Sequence, residues 1–172
     1  MEKTTNTELT RVVNLERIHS DKAYYVVTAL EDECKALAKR FNLIAVESLG
    51  ARYDIDPVKT SRGGYNLSGK LHAVVVQSCV VTLAPVREVI DVDVDLQVVD
   101  KKYEELDPLD PELDDDFEYS TFDEIDLGEI TAQYLSLSLN PYPRASDSDA
   151  NKILEEFQDK KNPFAILEKL KP

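Results

Sequence analysis

The stretch Ile90-Asp91-Val92-Asp93-Val94-Asp95-Leu96-Gln97-Val98 alternates apolar and polar side chains from end to end. Successive side chains of a β-strand point to opposite faces, so this alternation predicts a strand with one face buried. The apolar set faces the core and Asp91, Asp93 and Asp95 face outward, because a buried unpaired carboxylate is very costly. The stretch therefore predicts a sheet with one solvated face, which is typical of antiparallel sheets.

The segments before this strand extend the same pattern. Residues 49–55 and 65–75 also alternate, and Pro57, Gly63 and Gly64 lie between them. Two alternating arms around such a turn predict an antiparallel hairpin. Residues 74–83 are apolar nearly throughout, which predicts a stretch that is covered on both sides.

Two helices are predicted from their start signals. Thr28 with Glu31 forms a capping-box pattern before an apolar stripe, and Asn42 is a plausible stop for that helix. Asp126 with Glu129 forms a second such pattern, and its helix runs to about Leu139. Helices interspersed with hairpins predict an α+β domain, built on an antiparallel β-sheet or partly closed barrel with a few short helices.

The chain divides into three predicted parts. Residues 1–10 are polar and are expected to be a flexible N-terminus. Residues 11–145 form a single domain containing a mobile acidic loop at 100–117, which is rich in acids and contains two prolines. Residues 146–172 form a C-terminal helical tail.

Charge and composition exclude several classes of protein. The 172 residues are 42% apolar and carry a net charge of −14. Residues 91–126 hold 16 acidic side chains and two lysines, whereas the rest holds 18 of each sign. Phosphate contacts need clustered basic residues, so a basic protein or a metal suits the acidic segment better than nucleic acid, and no DNA is expected. Two cysteines and no long apolar run favour a cytoplasmic protein without a membrane span or leader peptide.

The sequence offers little catalytic chemistry. It has two histidines without a partner motif, no glycine-rich phosphate loop and no nucleophile elbow. His72 lies on the polar face of its strand and is expected to be exposed. Cys34 and Cys79 lack a second cysteine at zinc-ligand spacing, so structural packing is favoured for both. We therefore expect no catalytic residue, metal or cofactor.

Three features are candidate binding elements. Asp91, Asp93 and Asp95 lie about 6.8 Å apart along the strand, too far apart to share one tightly bound ion. They are either a solvated face or a docking stripe for a basic partner. Lys59 and Arg62, with Lys70 as a further candidate, form a small basic patch at the hairpin tip. The tail carries Phe164 and Leu167 on an amphipathic turn, which either packs on its own domain or binds a partner.

Three segments carry a resemblance to a known family: Gln77–Val86, residues 125–130 through Asn140–Arg144, and Asn162–Lys171. From the first helix onward the chain resembles the YceD family of large ribosomal RNA subunit accumulation proteins, a domain of unknown function, and its alphaproteobacterial branch in particular. The resemblance implies a non-enzymatic cytoplasmic protein needed for 23S rRNA accumulation, and no catalytic residues. Other branches of the family carry a further cysteine shortly after the first. In this chain Val81 and Thr82 follow Cys79 instead, which argues against a metal site here.

The function predicted from these observations is large-subunit assembly through binding a ribosomal protein or the large-subunit rRNA precursor. One alternative is a small-molecule-binding barrel, with a pocket lined by inward-facing residues of 65–75 and 90–98. Another is a metal-dependent hydrolase using the aspartate stripe, which lacks a base, a nucleophile and a phosphate cradle.

Overall fold

The computed structural model describes residues 8–15, 18, 22–57, 64–100, 117–120 and 124–145. These residues form nine elements: β1 (Val12–Asn14), β2 (Ala23–Thr28), α1 (Glu31–Arg40), β3 (Ala45–Pro57), β4 (Tyr65–Ser78), β5 (Pro85–Asp100), β6 (Phe117–Ser120), β7 (Glu124–Asp126) and α2 (Leu127–Ser138).

The described strands form two sheets. The larger has the order β2-β3-β4-β5-β6, and the smaller pairs β1 with β7. Every pairing is antiparallel except that of β5 with β6, which is parallel. A parallel neighbour needs a long connection, and residues 101–116 supply it. The α+β prediction is confirmed, with described sheets that stay open rather than closing into a barrel.

The long hairpin strands follow the predicted alternation. On β5, Ile90, Val94, Leu96 and Val98 are buried, whereas the three aspartates between them are exposed. Their inward faces pack with apolar side chains of α1 and α2, including Leu37 and Leu135, into one hydrophobic core. The core therefore lies on one face of the large sheet and leaves the opposite face to solvent.

The predicted helices form, but the start of α1 is two residues later than the sequence indicates. Its N-cap is Leu30 rather than Thr28, and Glu33 rather than Glu31 accepts the Leu30 backbone N–H at 2.7 Å. Asn42 adopts a left-handed conformation with φ of 55° just after the helix, as its predicted stop requires. The cap of α2 is confirmed, since the Asp126 carboxylate accepts the backbone N–H groups of Gly128 and Glu129.

Leu9 is fully buried near the start of the described chain, whereas residues 1–7 lie outside the described residues, so the flexible N-terminus at 1–10 stays a prediction. One further expectation needs correction. The apolar run 74–83 is covered only in its first part. Val80, Val81 and Leu83 are exposed because the chain leaves the sheet after Ser78 and turns back into β5.

Partly exposed ion pairs connect the helices to each other and to the N-terminal segment. Arg40 near the end of α1 contacts Glu129 at 2.7 Å and Glu8 at 3.1 Å. Arg11 makes two 2.8 Å contacts with Glu33 at the start of α1. The Arg40 guanidinium lowers the pKa of the Glu129 carboxyl, and Arg11 does the same for Glu33. The Arg40–Glu129 pair links α1 to α2.

Candidate functional site

The solvated face of the large sheet is the candidate site, and β5 supplies its acidic row, Asp91, Asp93 and Asp95. Each of these residues lies opposite a β4 residue: His72, Lys70 and Ser68, respectively. The row arises because the alternation of β5 places its odd-numbered residues on the face away from the core. All three predicted docking residues are therefore brought together on one exposed surface.

Two members of the acidic row have cross-strand partners. The Asp91 carboxylate lies 2.7 Å from His72 Nδ1, and the Asp93 carboxylate lies 3.1 Å from Lys70 Nζ. The side chains of Asp91 and Asp93 are 73% and 80% exposed, so water screens both pairs. Exposed pairs of this kind contribute little to stability, and the carboxylates stay accessible to another cation.

The middle of this face carries a basic pair in which Lys70, a candidate of the hairpin-tip patch, has a partner that the sequence did not indicate. Arg52 on β3 lies directly opposite Lys70 on β4. Like charges facing each other across strands destabilise a sheet, and the contact of Lys70 with Asp93 offsets this repulsion in part. Only the register of β3 against β4 reveals it, because the two residues are distant in sequence.

A shallow depression of about 540 Å³ lies beside this basic pair. Gly50 has no side chain to fill it, and Val26, Thr28, His72 and Asp91 are among the residues around it. The depression belongs to the solvated face. The inward residues of 65–75 and 90–98, which would line the pocket of a small-molecule barrel, instead pack into the core.

The other predicted binding residues fall elsewhere. Lys59 and Arg62 lie outside the described residues, and so do Phe164 and Leu167. Of the predicted loop 100–117, only its two end residues are described, each at the end of a strand. Among the described residues no group of His, Cys, Asp and Glu could hold a metal ion, and no helix is long and apolar enough to cross a membrane.

Cys79 anchors the turn between β4 and β5 to the segment after α2. Its sulfur is fully buried and lies 3.3 Å from the Ala145 backbone nitrogen, 3.4 Å from that of Thr82 and 3.5 Å from that of Val81. The Val80 N–H also donates to the Pro143 carbonyl at 2.9 Å. The residue thus has the packing role expected from sequence, and it also accepts backbone hydrogen bonds that the sequence did not indicate.

The pKa values of the two thiols are shifted in opposite directions. A hydrogen bond from Thr82, with the amides of Ala145, Thr82 and Val81, lowers the pKa of the Cys79 thiol to about 6, although burial opposes this. Burial, aided by the Glu33 carboxylate, raises the pKa of the Cys34 thiol. Neither sulfur is exposed in this conformation, so neither meets a substrate directly.

We expect single-thiol variants to separate these acidities. In Cys34→Ala, thiolate absorbance in the ultraviolet should appear near pH 6, whereas in Cys79→Ala it should appear above the usual value of about 8.5. A depressed folded-state pKa stabilises the fold above the unfolded pKa, and this contribution is lost as the pH falls toward 6. Stability should therefore rise over this window in Cys34→Ala and not in Cys79→Ala. If Cys79 titrated above 8.5, burial would outweigh the four hydrogen bonds.

Comparison with known families decides the identity of the chain. Residues 67–171, well over half of the sequence, match the family described as Large ribosomal RNA subunit accumulation protein YceD. The chain belongs to the YceD family. The match begins within β4, so it includes β5 with its acidic row, the Cys79 turn and α2. Searches of curated proteins and of solved structures found no match.

The YceD assignment confirms the resemblance seen in the sequence and gives the chain a role in accumulation of large-subunit ribosomal RNA. The family is not a known enzyme family. The part of the resemblance over residues 31–66 precedes the matched region and rests on the sequence interpretation alone.

Proposed function

We propose that this YceD protein is a cytoplasmic, non-enzymatic ribosome-biogenesis factor that supports 23S rRNA accumulation by binding a basic large-subunit ribosomal protein. The supporting observation is the acidic row, three carboxylates held side by side on a rigid strand of the solvated sheet face. Ribosomal proteins must keep cationic surfaces soluble before rRNA covers them. An acidic surface of fixed spacing would shield such a protein until it is delivered.

Binding would proceed by exchange of side-chain contacts. In the free protein Lys70 contacts Asp93 and His72 contacts Asp91, and both contacts are exposed and weak. Arginine or lysine side chains of a partner can replace them, and Asp95 offers a third carboxylate. The excess negative charge of residues 91–126 would raise the rate of encounter more than the final affinity.

Direct binding of the large-subunit rRNA precursor is the second candidate, and the Arg52–Lys70 pair favours it. Two adjacent cations on a sheet face could hold a phosphate. The net charge of −14 opposes this reading, since the affinity of proteins for nucleic acid depends on neutralising phosphates. Lys59 and Arg62 would add to such a contact.

The test compares two variants of the same face. Changing Asp91, Asp93 and Asp95 to Asn should slow association with the captured ribosomal protein several-fold and flatten its salt dependence, because the steering field is lost. The fold should remain, since exposed charges contribute little to stability. Arg52→Gln with Lys70→Gln, on the same face, is the matched control and should not slow it.

Capture from extract with and without nuclease identifies the partner before these rates are measured. Ribosomal proteins retained after nuclease treatment would support protein binding. Retention that depends on intact RNA, and that is lost in the Arg52 and Lys70 variant, would instead support the rRNA reading. If the association rate and its salt dependence are unchanged in the aspartate variant, the acidic row is only a solvated face and not a docking surface.

A further inference from the structure

The solvated face of the large sheet is ordered in rows that run across the strands. Residues that lie opposite one another on β2, β3 and β4 form each row, and successive rows on this face lie about 7 Å apart along the strands. The central row consists of Val26, Arg52 and Lys70, and Asp93 on β5 continues it. Tyr24 belongs to the next row on one side. We call Arg52 and Lys70 the basic pair.

Two depressions adjoin the basic pair, one on each side along the strands. The depression of about 540 Å³ described above includes Gly50, and a second one of about 390 Å³ includes Tyr24. Arg52 and Lys70 line both of them, so the two depressions and the basic pair form one surface. The cationic groups therefore lie in the middle of this surface, where the anionic group of an elongated ligand would be bound.

The two cations of the basic pair differ in their contacts. The Lys70 ammonium lies 3.1 Å from the Asp93 carboxylate, in a contact whose side chains are 83% and 80% exposed. Within the described ranges of the chain, Arg52 takes part in no ion pair. Asp54, two residues further along β3, is contacted instead by Lys22 at 3.7 Å. A free guanidinium beside a weakly held ammonium suits a phosphate, which accepts hydrogen bonds from both groups.

An exposed aromatic side chain lies next to the basic pair. Tyr24 is 59% exposed on the solvated face of β2, and it lines the second depression together with Arg52 and Lys70. Unpaired bases of single-stranded RNA stack on exposed aromatic side chains, and neighbouring cations hold the phosphates that link these bases. An aromatic side chain and a cation pair on one sheet face are therefore typical of a surface that binds a single strand.

We propose that single-stranded RNA binds this face, with a phosphate on the basic pair and a base on Tyr24. RNA is the occupant that we infer because the family of the chain acts in the accumulation of ribosomal RNA. The proposal develops the second candidate function and rests on it. It does not require the acidic row to bind a protein.

Asp93 links the acidic row to the basic pair. In the free protein its carboxylate neutralises part of the charge of Lys70. A cationic side chain of a protein partner that takes over Asp93 releases Lys70, so the affinity of the basic pair for phosphate rises. By linkage, a phosphate on the basic pair raises the affinity of Asp93 for that cation by the same factor. A basic protein and RNA would therefore bind this face cooperatively rather than in competition.

The fluorescence anisotropy of a labelled single-stranded oligoribonucleotide tests the site on the purified protein. Asp93→Asn should tighten binding several-fold, because it releases Lys70. Asp95→Asn is the matched control, since it removes the same charge from the same row, but Asp95 lies opposite Ser68 rather than a cation. Its gain should be smaller. In a Lys70→Gln background the two substitutions should have equal effects.

Further variants measure the phosphate contact and the base contact separately. Arg52→Gln with Lys70→Gln should weaken binding at least about ten-fold. It should lower the slope of log affinity against log salt by about 0.7, the contribution of one neutralised phosphate of a single strand. Tyr24→Ser should weaken binding several-fold without changing this slope, and Tyr24→Phe should restore binding. Tyr142→Ser removes another exposed tyrosine, beyond α2, and should have no effect.

Three results would overturn the proposal. The oligoribonucleotide could fail to bind the protein and all of its variants. Asp93→Asn and Asp95→Asn could give equal gains while Lys70 is present, which would show that only net charge matters. Tyr24→Ser could have no more effect than Tyr142→Ser. These measurements contain no ribosomal protein, so their failure is distinct from a failure of the acidic row to bind one.

Discussion

Replacing Gly128 by alanine is expected to destabilise the protein by about 3 kcal/mol, near the upper end for inserting an atom into a packed site. A Cβ at this position would lie 2.5 Å from the Leu9 carbonyl oxygen, 2.8 Å from its carbon and 2.9 Å from the Arg11 nitrogen. All three are backbone atoms, so no side-chain rotation relieves the clash. The β1 segment would have to move away from the start of α2.

That movement would also break the hydrogen bonds between the two segments. The Arg11 N–H donates to the Asp126 carboxylate at 2.7 Å, and the Leu127 N–H donates to the Arg11 carbonyl at 3.0 Å. Separation would weaken the cap of α2 and expose buried Leu9. At this chain length the midpoint of thermal unfolding should fall by about 6–12 °C.

Gly50→Ala is the matched control for this prediction. Its added Cβ would meet one atom, the Val27 carbonyl oxygen, at 3.3 Å, and the residue lies on the solvated face. We expect a loss well under 1 kcal/mol by urea unfolding, as for most surface changes. Similar losses in the two variants would show that the contact between β1 and α2 is not tightly packed.

The sequence was sufficient to predict the elements that alternate. The pattern of β5 predicts which residues face the core. A strand has only two faces, and an unpaired charged side chain is excluded from the face that packs on the core. The same argument predicted the antiparallel partner strands. It could not supply the register, so the pairing of Asp93 with Lys70 and of Arg52 with Lys70 was not foreseen.

The errors have local physical causes. The spacing of Thr28 and Glu31 predicts a capping box, yet Leu30 and Glu33 have the same spacing. Glu33 is favoured in the structure because Arg11, from a distant segment, holds its carboxylate in place. The apolar character of residues 80–83 predicts that they are covered. Hydrophobicity alone does not show where a strand ends and a turn begins.

A second large effect is expected at Tyr53, the largest fully buried side chain among the described residues. Tyr53→Ala should cost about 3–5 kcal/mol, because it removes a whole ring from the middle of β3 and leaves a cavity. The sequence placed this residue on the inward face, but its polar partner comes from α2. The Tyr53 hydroxyl lies 2.7 Å from Thr131 Oγ1, which in turn donates to the Leu127 carbonyl at 2.6 Å.

The direction of the hydrogen bond between Tyr53 and Thr131 allows a second prediction at this site. Thr131 has one hydroxyl proton and gives it to Leu127, so the Tyr53 hydroxyl must be the donor to Thr131. Tyr53→Phe removes the donor and should cost about 1 kcal/mol, whereas Thr131→Val leaves a buried donor unpaired and should cost about 1–3 kcal/mol. Urea unfolding of the two single variants and the double variant measures both costs. The order would reverse if the Tyr53 hydroxyl were the acceptor, because the donor left unpaired by Tyr53→Phe would then be that of Thr131.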